Sequence, residues 1–162
     1  MLKESFAAER AWRSGPGIAD GEDIEKGVLG APVLKPREKM PEEYMAYKDA
    51  VAWVREHQPD AFSRSKLIKN LRTRVAELCT NIDEPVKFYT AVGTPLDIYH
   101  GVDAFFAQGH KIATVDLSMK EKENYKADVL MTVAFDSNGE PVSTERALQM
   151  TAEAIADTLN RA

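Results

Sequence analysis

The sequence predicts an α/β or α+β sandwich, and three features of its pattern carry that prediction. Two amphipathic helical stretches come first, between about residues 41 and 80. A run of short β-branched and aromatic segments follows from Pro85 to Phe135. One more amphipathic helix closes the chain, so helices precede and follow a block of three or four strands. At 162 residues, with 44% hydrophobic and 29% charged residues, this is the composition of one ordinary globular domain with a real core.

Residues 1–40 read as an irregular N-terminal arm, and residues 41–162 as the domain proper. The arm is rich in breakers, among them Gly15-Pro16-Gly17, Gly21, Gly27, Gly30, Pro32 and Pro36. A short helix over Lys3–Trp12 is compatible with its start. Its apolar residues Trp12, Ile18, Val28, Leu29 and Val33 would dock on the core or on a partner chain, which makes a homo-oligomer or a protein partner one expectation.

Pro41 opens the first helix, with Glu42 and Glu43 in its first turn and Tyr44, Tyr47, Val51 and Val54 at helical spacing; Pro59 closes it. The second helix runs from Ala61 to about Thr80 on the stripe Leu67, Ile68, Leu71, Val75 and Leu78, with Asn81 as terminator and Cys79 packed near its end. Val86–Val92 is a strand, broken by Gly93-Thr94-Pro95, and Leu96–Tyr99 a short extended piece. Val102–Ala107 and Lys111–Met119 form a hairpin about Gln108-Gly109-His110. Asp128–Phe135 is mostly apolar and reads as a central strand. Asp136–Pro141 is a turn, and Ser143 or Thr144 caps the last helix, which runs to about Asn160.

Formal net charge is −5, which argues against a protein that coats nucleic acid non-specifically. The second helix is a local exception. Arg64, Lys66, Lys69, Arg72 and Arg74 occur there with no acidic residue between Phe62 and Ala76. Such a run is either a solvated helix face or a phosphate-binding patch. A single cysteine excludes an internal disulfide framework and a multi-cysteine zinc site. The start Met1–Phe6 lacks a secretory pattern and no apolar run reaches the roughly 18–20 residues of a membrane span, so a cytoplasmic setting without a membrane is expected.

The hairpin carries the chemistry. Asp103 sits in Gly101-Val102-Asp103-Ala104-Phe105-Phe106, and Asp116 in Ile112–Met119. Carboxylates inside apolar strands are paired or bound to a cation. Alternation puts Thr114, Asp116, Ser118 and Lys120 on one strand face, and Asp103 with Phe105 on one face of the other. If the hairpin pairs those faces, the two carboxylates converge and repel unless one is protonated or a cation lies between them, and Mg²⁺ or Mn²⁺ suits such a pair. Lys120 would then serve the same cleft. The other reading of this face is the wet side of an antiparallel hairpin.

An aspartate on one strand, then an aspartate and a lysine on the next, after a helix and before a strand and helix, resembles the PD-(D/E)XK nuclease superfamily over roughly Ala61–Asn160. The resemblance implies a restriction-endonuclease-like core, a central mixed sheet of three to five strands flanked by helices. It implies Mg²⁺-dependent cleavage of nucleic acid, DNA in preference to RNA, with Asp103 and Asp116 as metal-binding acids and Lys120 as the catalytic lysine. Glu77 matches the acid that some members supply from a preceding helix. Gln149, with Glu153 one turn on, resembles a glutamine that some exonuclease-like members place near the site. His100 would touch substrate, and Arg64 to Arg74 would hold the backbone. The sequence departs from the pattern in having Ser118 where the lysine usually stands. That departure is what favours the alternative, a catalytically inactive module of the same fold that binds nucleic acid or a protein partner.

Overall fold

The computed structural model describes residues 21–58 and 65–161. The expected helix over Lys3–Trp12, the breaks at Pro59 and Ala61, and Arg64 lie outside them. Among the described residues five helices surround a small sheet: α1 (Gly21–Leu29), α2 (Tyr47–His57), α3 (Lys66–Leu78), α4 (Pro95–His100) and α5 (Glu145–Arg161). The strands are β1 (Lys87–Thr90), β2 (Ala104–Gln108), β3 (Lys111–Ser118) and β4 (Val129–Thr132), in spatial order β1-β2-β3-β4. β1, β2 and β3 are antiparallel neighbours, and β4 runs parallel to β3. The chain is thus mixed α/β, with a four-stranded mixed sheet flanked by helices.

Two cores lie on the two sheet faces, as period-two alternation requires. Phe88, Phe106, Ala113, Val115, Leu117 and Met131 form the first with α3 and α5. Val28 and Leu29 of α1, in the stretch expected to be irregular, are fully buried in this same core. Tyr89, Phe105 and Ala107 form the second with Ala50, Val51 and Val54 of α2 and Leu96 of α4. The register sets aromatic pairs on both faces, Phe88 tilted against Phe106 and Tyr89 stacked on Phe105, each with ring centroids 5.1 Å apart.

The hairpin forms as read from the sequence: Gln108 faces Lys111 across a turn in which Gly109 takes φ +64. Three local readings change. The helix expected from Pro41 begins only at Tyr47. Side chains of α4 intercept the preceding segment, as the Tyr99 hydroxyl donates to the Glu42 carbonyl and His100 Nε2 donates to that of Met45 at 2.7 Å. Leu96–Tyr99 is helical rather than extended, because Pro95 supplies a pre-set first position and Gly101 a left-handed stop at φ +68. The strand expected over Asp128–Phe135 is neither central nor continuous. β4 is the sheet edge, and Ala134–Phe135 (β5) turns away to pair with Pro141–Val142 (β6). Thr144 caps α5 by accepting from the Ala147 amide at 3.0 Å.

Candidate metal centre

Asp103 is fixed before its side chain is considered. Its amide donates to the Val115 carbonyl at 2.9 Å, and its carbonyl accepts from the Ala91 amide at 2.8 Å, so β1 and β3 both grip it. Its carboxyl Oδ2 then accepts from the Leu117 amide at 2.7 Å. Ala113, Val115 and Leu117 belong to the first core, so Thr114, Asp116 and Ser118 occupy the opposite face, with Asp103 and Phe105. That face is not wet: Asp103 is 1% exposed and Asp116 5%. The two carboxyls lie within hydrogen-bonding reach of each other.

Two further acids reach the same place. Asp97 comes from α4, where its Oδ2 also accepts from the Gly93 amide at 2.8 Å. Glu25 comes from α1, which crosses the sheet end where β1 stops and β2 starts; the Thr90 hydroxyl donates to the Gly30 carbonyl there at 2.7 Å. Carboxylate oxygens of Glu25, Asp97 and Asp103 all lie within 4.8 Å of one another. Burial, the nearby charge of Glu25, the hydrogen bond with Asp116 and the charge of Asp97 together push the Asp103 carboxyl up to about 11.

The lysine of the site is Lys122. Its Nζ stands 2.8 Å from Asp116 Oδ2. Lys120 is exposed, and only its backbone is engaged. The Ser118 hydroxyl donates to the Lys120 carbonyl at 2.6 Å and accepts from its amide at 3.3 Å, which turns the chain where β3 ends. Strand parity therefore stops at Ser118, and the bend brings Lys122 back over Asp116 instead. Lys122 also lines a cavity of about 340 Å³ between this loop, β4 and α5.

Other residues singled out in the sequence stand elsewhere. Glu77 is exposed on α3, across the sheet from the acids. Gln149 accepts from Arg74 at 3.1 Å, and Arg74 also pairs with Glu145, so these residues join α3 to α5. Arg72 donates to the Val86 carbonyl at 2.9 Å. Lys66 and Lys69 are exposed on α3, on the face of the sheet away from the cluster. His100 is held by Met45 and packs among tyrosine rings. Sequence reasoning missed Glu25, Asp97 and Lys122; the only local signal was Asp97, which closely follows Pro95.

Hard oxygen donors from three separate segments, with Asp103 protonated in the absence of a cation, are a donor set suited to Mg²⁺ or Mn²⁺. In chelator, Asp103 holds a proton that the unfolded chain releases near 3.8, so the folded state binds more protons between about pH 4 and 11. Stability carried by this group is complete below that window and is lost as pH rises through it. Thermal unfolding of the metal-free protein is therefore expected to show Tm falling from pH 5 to pH 9. In Asp103→Asn that fall flattens and Tm at pH 9 rises by on the order of 5 °C. Parallel profiles would contradict the protonated carboxyl.

No family model, curated protein or solved structure matches the chain. Among the described residues no helix is long and apolar enough to cross a membrane.

Proposed function

We propose that the chain is a divalent-metal-dependent phosphodiesterase acting on nucleic acid, DNA in preference to RNA, built on a restriction-endonuclease-like core. The observation that carries this reading is the joining of Glu25, Asp97 and Asp103 to an Asp116–Lys122 pair on one side of one hairpin. The preference for DNA rests on the resemblance to the nuclease superfamily alone.

Glu25, Asp97 and Asp103 would hold Mg²⁺ or Mn²⁺, which when bound supplies Lewis acidity toward a phosphoryl oxygen and acidifies water. Asp116 fixes the Lys122 ammonium beside that position. Lys122 can then orient the attacking water or meet the negative charge that grows on the phosphoryl group, where a preset charge costs no reorganisation. The buried backbone contacts of Asp103 hold its carboxyl where it would exchange its proton for a cation. The non-catalytic reading drew its support from Ser118, and Lys122 supplies the ammonium that Ser118 lacks.

Incubation with supercoiled plasmid and with labelled single- and double-stranded oligonucleotides tests the proposal. Cleavage is expected with Mg²⁺ or Mn²⁺ and none with chelator. Binding without turnover under both metals would leave the non-catalytic module as the better reading.

A further inference from the structure

Resting on the nucleic-acid reading, we propose that Tyr44 and Tyr47, backed by Tyr99 and His100, form a platform on which unpaired nucleobases stack, so that the substrate beside the cluster is single-stranded. The residues converge from two segments far apart in sequence. Tyr44 meets Tyr99 edge-on at 5.4 Å and 70°, and Tyr47 meets His100 edge-on at 5.7 Å and 84°. Tyr44 also lies 5.8 Å from His100. In an edge-to-face pair one ring offers its edge and the other a single face, so each ring keeps at least one π-face clear of that partner.

Exposure and rigidity coincide here, which is unusual for surface tyrosines. Tyr44 is 67% exposed, Tyr47 44% and the adjoining Ile98 60%. Yet the segment carrying Tyr44 is fastened on both sides of it, through the Glu42 and Met45 carbonyls. Those bonds hold residues 41–46 out of the helix that their own sequence favours. What results is an immobilised aromatic surface facing solvent, with part of the ordering cost of binding already met.

The platform and the acids share one helix, α4. The same six-residue helix, roughly 9 Å long, sends Asp97 to the cluster and Tyr99 and His100 to the tyrosines. Partial burial, and secondarily the negative charge of Asp128, disfavour ionisation of Tyr47. A negative neighbour repels phosphate but not a neutral base, so these rings suit the base side of a strand. The basic residues of α3 are unsuited to the task, since they lie across the sheet or tie α3 to its neighbours. Stacking on aromatic rings binds bases of any identity and requires them to be unpaired, at roughly 1–3 kcal/mol per base.

Fluorescence anisotropy in chelator decides this, using three labelled probes of equal length: a mixed-sequence single strand, a strand of abasic sites, and a duplex. The full protein is expected to bind the single strand at least about tenfold more tightly than either other probe. Tyr44→Ala/Tyr47→Ala should lose roughly tenfold on the single strand and nothing on the abasic strand, whereas Tyr44→Phe/Tyr47→Phe keeps wild-type affinity. Equal affinity for single and abasic strands, equal affinity for the duplex, or an alanine variant that binds like wild type would overturn the platform. Cleavage by the alanine variant with unchanged KM would also overturn it, while leaving the nuclease reading intact. Base-dependent binding without metal-dependent turnover would uphold the platform and remove the nuclease reading.

Discussion

Asp116→Asn should lower metal-dependent cleavage by roughly 10³-fold while leaving the protein folded. The carboxylate of Asp116 faces two ways: it touches Asp103 on one side and holds Lys122 at 2.8 Å on the other. Asparagine keeps the volume and one carbonyl oxygen, so the strand and its packing survive. It removes the charge that fixes the ammonium and that would compensate a cation. The loss is expected in kcat rather than KM, since these contacts act on the reacting phosphate and not on the rest of the strand. Unchanged far-ultraviolet dichroism and a Tm within a few degrees of wild type confirm that the variant is folded. A folded Asp116→Asn protein that cleaves at the wild-type rate would sink the assignment.

Lys122→Met should cost roughly 10²-fold in kcat, and Lys120→Met less than about threefold. The two lysines are two residues apart in one loop, so the comparison isolates position from net charge. Lys122 reaches Asp116, whereas Lys120 offers only its backbone to Ser118 and points to solvent. Methionine preserves the apolar stem and deletes the ammonium. Lys122→Arg retains a cation in a wider, planar group and should recover part of the rate. Equal losses at both positions would mean that the loop contributes general charge. A loss at Lys120 alone would restore the parity argument that the bend at Ser118 ends.

The hairpin and its two acids were legible from the residues because both depend on local rules. Gly109 marks the turn, and alternation along Lys111–Ser118 sorts Asp116 from Val115 and Leu117. The same rule failed for the lysine because alternation holds only while the strand lasts. Ser118 ends it with a side-chain hydrogen bond that the sequence does not announce. Glu25 was hidden for a different reason. Gly21 and Gly27 make α1 a poor helix by propensity, and tertiary burial of Val28 and Leu29 stabilises it. Glu77, the acid read from sequence, has helical context but lies across the sheet. The segment 41–46 shows the converse, a good local helix signal overridden by bonds from Tyr99 and His100. Glu25 and the segment 41–46 each depend on partners more than fifty residues away, which no local pattern encodes.

The claim on which the rest depends is that the acids hold a divalent cation and that Asp103 gives up a proton to do so. Calorimetric titration with Mn²⁺ in buffers of different ionisation heat measures both quantities together. The account predicts saturable binding near neutral pH with close to one proton released per ion, and at least about tenfold weaker binding by Asp103→Asn. Absence of binding, or equal affinity and equal proton release in wild type and Asp103→Asn, would contradict it.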